Sequence, residues 1–256
     1  MKKMLSRVAI NEISLTVSYL IVIIVLVTME TYIRLLTPGK VLMKGVASTY
    51  DVIINSDIYT IPLFIIPFIL YYIINILKNE FNIMRVVRKI NVKQIWVGCI
   101  KELLITDMIF TIYITSVTII SGLISTGLVC NWSEENSFGC NVVGEPIYNY
   151  PSFVSMIITY ALSIFCLIFV LGMIALFVWW YLKSPIAGFI VAYIILFIDG
   201  VVHVIDIFYS RYIMSFRVYK TGIDIFDQII YPIGLCIIMF AILSLLIKRR
   251  DFLDKL

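Results

Sequence analysis

Long uncharged apolar stretches recur six times along the chain, at residues 13–29, 58–77, 103–129, 153–182, 185–205 and 229–247. A helix rising ~1.5 Å per residue needs ~20 such residues to cross the hydrocarbon of a bilayer, so each stretch predicts one membrane-spanning helix. Three of them carry a blemish. The first is short unless it runs past Glu30 to Ile33, the third contains Asp107, and the fifth carries Asp199 and His203 near its end. The second holds Pro62 and Pro67, which predicts a bend where proline removes backbone donors. Between the second and third stretches the pattern changes. Over 78–102, Phe81, Met84, Val87 and Ile90 recur at helical spacing, while Arg85, Arg88, Lys89 and Lys93 supply a polar side. A basic amphipathic helix at the membrane interface is the reading, either resting on anionic headgroups or docking a partner. Trp96 suits that boundary.

Composition strengthens this picture. Of 256 residues, 62% are apolar and 14% charged, against ~45–50% and ~25% in soluble domains. The class expected is an all-α membrane protein, a bundle of six transmembrane helices forming one transmembrane domain over 1–256. The apolar run behind Met1-Lys2-Lys3 has no small-residue cleavage site after it and is read as a retained first span. The net charge of +4 is spread along the chain rather than gathered in a patch, so nucleic acid is not an expected partner. Where the charges fall matters more than their sum. With both termini cytoplasmic, 14 of the 20 Lys and Arg residues stand on the cytoplasmic side, as the positive-inside rule requires. Glu134, Glu135 and Glu145 then lie in an outer loop without Lys or Arg.

Few residues suggest chemistry. Asp199, His203 and Asp206 are spaced by four and three, sharing one face of a continuous helix. Ionisable groups at membrane depth are costly and point to function, here metal binding or proton relay. Against that stand a single histidine, a weak metal signature, and a position where the fifth span meets water. Asp107 is expected to reach the cytoplasmic boundary with help from Lys101 or Lys183. Cys99, Cys166 and Cys236 read as small apolar residues, whereas Cys130 and Cys140 flank an outer loop at a spacing that permits a disulfide. Asn131-Trp132-Ser133 matches a glycosylation acceptor by chance. Gly188 and Ala192 form a small-xxx-small pair suited to close helix approach. No phosphate-binding loop, HExxH or GxSxG occurs, so no catalytic role and no bound cofactor or metal is expected.

This layout resembles the permease subunit of ABC-2 type ATP-binding cassette transporters. The likeness rests on six spans with both ends inside and the basic segment after the second span, which opens with Glu80, continues through Arg85 and Arg88 and leads by Lys101 into the third. The turn Lys183-Ser184-Pro185 and the ending Lys248-Arg249-Arg250-Asp251-Phe252 agree. The resemblance implies that 78–102 holds a cytoplasmic coupling helix, with Glu80, Phe81, Met84, Arg85, Val87, Arg88, Lys89 and Lys93 contacting a separate ATPase subunit that uses the ATP. It places 204–228 as outer hairpin helices, and Asn82-Ile83 departs from a Gly-Thr pair that many relatives carry. It further implies pairing with a second permease copy or a related subunit, a bacterial plasma membrane, and export of a hydrophobic or amphipathic substrate such as a small peptide. Two other classes stay open: a membrane-embedded enzyme using Asp199 and His203, and a non-transporting immunity or sensor protein.

Overall fold

A computed structural model describes residues 17–29, 45–80, 92–199, 218–219, 223 and 226–246. Helix dominates it, and among the described residues the nearest thing to a strand is a single bridge between Val46 and Ser137. The helices are α1 (Val17–Met29), α2 (Thr49–Asn55), α3 (Ile66–Glu80), α4 (Val92–Thr126), α5 (Phe138–Val143), α6 (Phe153–Leu182), α7 (Pro185–Phe197) and α8 (Tyr231–Leu246). A π-helical stretch, Ser56–Ile65, joins α2 to α3, and another, Phe226–Ile230, leads into α8. Three helical segments, Thr60–Lys78, Lys93–Thr126 and Phe153–Leu182, are long and apolar enough to cross a membrane. The described parts of α1, α7 and α8 are apolar but shorter.

Contacts fix the helix directions. At one end, the loop end, the start of α2 meets the end of α4 and the start of α6: Thr49 Oγ1 donates to the Leu128 carbonyl and the Tyr50 hydroxyl to that of Pro151, at 2.7 and 2.8 Å. At the other, basic end, Trp96 near the start of α4 packs edge-to-face on Trp180 and donates its indole N–H to Ser244 Oγ at 3.2 Å. Trp96 is thus buried where α4, α6 and α8 meet at the basic end. Tyr19 of α1 lies against Tyr72 of α3, so α1 starts toward the basic end. Among the described residues, six rods therefore alternate in direction.

Helix α6 is the axis of the bundle. It is apolar nearly all round, and its buried positions run from Met156 to Trp180, the pattern of a helix enclosed by neighbours. Ser152 caps its start by accepting from the Ser155 amide. Its partner α7 can close on it because Gly188 lacks a side chain: a Cβ there would stand 2.4 Å from the Ala175 carbonyl oxygen. Ala192 one turn on is fully buried, so the small-residue pair does bring two helices together, within the chain itself.

Two expected boundaries move. The second span forms part of one helical rod from Thr49 to Glu80, and Pro62 is absorbed by the π-helical stretch around it. Helix α4 begins at Val92, well before 103, so the second half of the 78–102 segment is not a separate interfacial helix. Lys93 and Lys101 are exposed while Ile95, Trp96, Cys99 and Leu103 are buried, which lets a single helix carry the charges on its outer side. Large apolar side chains also face outward along the helices: Ile112, Ile124, Val154, Ile186, Ile237 and Leu245 are all more than 60% exposed.

Candidate functional site

Polar groups inside this apolar bundle concentrate in a hub at the loop end and a seam below it. The hub is centred on Asp51, in the first turn of α2, where the helix dipole favours negative charge. Its Oδ2 accepts from the Ser48 amide and hydroxyl, both at 2.7 Å. Its Oδ1 accepts from Trp132 Nε1 at 2.9 Å and from the Tyr219 hydroxyl at 2.7 Å. The Ser48 contact is the part of a capping box that an N3 carboxylate supplies. The others tie in segments distant in sequence, and Trp132 packs against Tyr50 and Tyr219 with ring centroids 5.3 and 4.6 Å apart.

The connecting segments form a lid over this hub. Val46 N–H donates to the Asn136 carbonyl and the Val46 carbonyl accepts from the Phe138 amide, at 2.8 and 2.9 Å. Gly45 makes that approach with φ +122, and a Cβ on it would meet the Ser137 backbone at 2.9 Å. Burial pushes the Asp51 carboxyl above its usual range, against the pull of the hydrogen bonds from Tyr219, Ser48 and Trp132. Burial, then the neighbouring Asp51, holds the Tyr219 phenol well above its ordinary value.

The seam follows one face of α4. Asp107, Thr111, Thr115, Thr118 and Ser121 repeat every three or four residues, and all are buried. Thr111 donates to Asp107 Oδ1 at 3.3 Å. Thr118 Oγ1 lies 3.0 Å from the Tyr160 hydroxyl of α6, which lies 3.2 Å from Ser56 Oγ in the π-helical stretch. Next to Ser56, Asp57 accepts from Ser163 of α6 at 3.3 Å. Two atoms of the seam, Asp107 Oδ2 and Thr115 Oγ1, are buried with no hydrogen-bond partner.

The expected site residues fare as follows. Asp107 does not reach a boundary: it is fully buried, and the exposed Lys101 and Lys183 leave its Oδ2 unpaired. Asp199 is buried, while His203 and Asp206 lie outside the described residues. Among the described residues no group of three or more His, Cys, Asp or Glu side chains could hold a metal. Cys130 and Cys140 are both free thiols, and burial pushes Cys130 up to about 11, leaving it a protonated and poor nucleophile at neutral pH. Asn131 is buried with its Nδ2 donating to the Val46 carbonyl, which leaves no room for a glycan. Of the coupling residues, Glu80 ends α3 and Lys93 lies in the first turn of α4. Phe81, Met84, Arg85, Val87, Arg88 and Lys89 lie outside the described residues.

Sequence reading missed Asp51, Asp57, Trp132, Tyr160 and Tyr219. One signal was available, the hydroxyl-bearing side chains recurring at helical period through the uncharged run of α4. No family model, no curated protein and no solved structure matches the chain.

Proposed function

We propose that this chain is the membrane-embedded permease subunit of an ATP-driven exporter, with six spans, both termini in the cytoplasm and ATP hydrolysed by a separate subunit. The observation that carries the reading is the pair of long apolar helical segments, Thr60–Lys78 and Lys93–Thr126, joined in sequence from the basic end by a segment holding Arg85, Arg88 and Lys89. An apolar exterior on rods of alternating direction supports lipid as the surroundings. A helix pair crossing the bilayer and meeting in a basic cytoplasmic connection is a lever. An ATPase that grips the connection tilts both helices against α6 and alternates access. The substrate class is hydrophobic or amphipathic, such as a small peptide, and a second permease copy or related subunit completes the pathway.

The test is co-purification from detergent of an ATPase subunit with the tagged chain. Arg85→Glu with Arg88→Glu should lower the recovered ATPase by on the order of tenfold, a loss of about 1.4 kcal/mol of docking energy. Equal recovery from the double variant would exclude the docking role. If wild-type chain brings no ATPase, a non-transporting immunity or sensor protein becomes the better reading.

A further inference from the structure

The hydroxyl seam does something the permease reading does not require. Serine and threonine in helices ordinarily satisfy their hydroxyls on the carbonyl one turn back. Ser116 and Thr126 of α4 do so, donating to the Ile112 and Gly122 carbonyls at 2.7 and 2.8 Å. Thr115 does not, although it is buried and the Thr111 carbonyl is one turn away. Its Oγ1 and Asp107 Oδ2 are the two buried seam atoms without a hydrogen-bond partner.

Both atoms are buried, and the thiols of Cys166 on α6 and Cys236 on α8 are titratable neighbours of Asp107. Cys236 is itself occupied, its thiol donating to the Cys166 carbonyl at 3.7 Å. On the α3 side, Tyr72 packs edge-to-face on Phe110 with centroids 5.2 Å apart. Asp107 hydrogen-bonds to Thr111 and pairs with no Lys, Arg or His among the described residues. A lone carboxylate so placed is very costly, and a carboxylic acid has a donor to place on a water or hydroxyl.

We propose that Asp107 is a proton-binding site inside the bundle, linked toward the loop end by the buried row Ser56, Tyr160, Thr118, Thr115 and Thr111. Two steps of this row are direct, Ser56 to Tyr160 and Tyr160 to Thr118, and Thr111 closes on Asp107 at its far end. Thr118 to Thr115 and Thr115 to Thr111 rise by ~4.5 and ~6 Å along α4, longer than a direct hydrogen bond, so the proposed route needs a bridging water at each of these two steps. The event is one of protonation alone: water delivers a proton to Oδ2, the carboxylate becomes a neutral acid, and the reverse step returns the proton to the row.

The inference stands apart from ATPase docking and is tested on the full chain in lipid without any partner. Infrared difference spectra between acid and alkaline pH should show the carbonyl band of a protonated carboxyl that disappears in Asp107→Asn. On transfer to heavy water that band should shift with exchange. Thr115→Val should slow the shift by on the order of tenfold, and Thr115→Ser should restore it. No Asp107-dependent band, or exchange at the same rate in Thr115→Val, overturns the proposal.

Should Asp107→Asn fail to fold, a hydrophobic carbodiimide, which reacts with protonated carboxyls, answers on the wild-type chain. A mapped adduct on Asp107 that declines as pH rises supports the site. An adduct absent at acid pH overturns it, and so does one suppressed by sodium ions at constant pH, since that result assigns the site to a metal cation.

Discussion

Asp51 shows how a single carboxylate can organise a loop-rich end. Its four donors come from Ser48, which contributes two, from Trp132 and from Tyr219. Removing one donor loses a hydrogen bond to a charged acceptor, worth ~1.5–3 kcal/mol, whereas removing the acceptor strands every donor at once. Tyr219→Phe should therefore lower stability by about 2 kcal/mol, and Asp51→Asn by about 2–4 kcal/mol because the amide turns a donor toward donors. Thermal unfolding in detergent reads both. The pH dependence has a definite sign. Burial raises the folded-state proton affinity of Asp51 above that of the unfolded chain, so in the interval between them the native state binds more protons. Stability from this group is full below the unfolded value of ~3.9 and is lost as pH rises through the elevated folded value. Asp51→Asn should flatten that part of the stability profile, and a profile unchanged in slope would show that another group sets it.

At the scale of helices, packing rests on how closely backbones approach. Lipid is as apolar as leucine, so a bilayer provides no hydrophobic drive between spans, and contact distance and hydrogen bonds must hold them. Gly188 is where α7 leans on α6, with a notional Cβ 2.4 Å from a backbone atom that cannot swing aside. Gly188→Ala should cost about 1–3 kcal/mol through overpacking. Gly234→Ala, facing open space, should be neutral or slightly stabilising because alanine favours helix. Equal melting of the two variants would mean that the α6 and α7 contact is looser than described. The same geometry explains what the sequence made legible. The apolar stretch 153–182 coincides with α6 at both ends, and 185–205 with α7 at its start, because Ser152, Lys183 and Ser184-Pro185 punctuate the apolar run. The apolar stretch starting at 103 falls short of the start of α4 at Val92 because Lys93, Lys101 and Glu102 resemble an end when charges are counted. Only the helical period places Lys93 and Lys101 outside while Trp96 and Cys99 pack inside. The Asp51 hub is not legible beyond its local Ser48 contact, since Trp132 and Tyr219 reach Asp51 through folding over separations of 81 and 168 residues.

For the whole molecule, the two ends of the bundle differ in kind, and that difference predicts an orientation in a membrane. The loop end carries the exposed Glu134 and Glu135 and a hydrogen-bonded lid over buried aromatic rings. The basic end carries exposed Lys93, Lys101 and Lys183, where α4 starts and the α6 to α7 turn lies. Basic residues resist translocation, whereas acidic ones contribute little to orientation. The loop end should therefore face outward and the basic end the cytoplasm. Single cysteines can decide this, because Cys99, Cys140, Cys166 and Cys236 are buried and Cys130, partly exposed, can be replaced by alanine. In that background Glu135→Cys should react with a membrane-impermeant maleimide on intact cells, and Lys101→Cys only after the cells are opened. Labelling of Lys101→Cys from outside would invert the bundle. It would also place Arg85 and Arg88 beyond the reach of any cytoplasmic ATPase, so the exporter reading would fall with the orientation on which it depends.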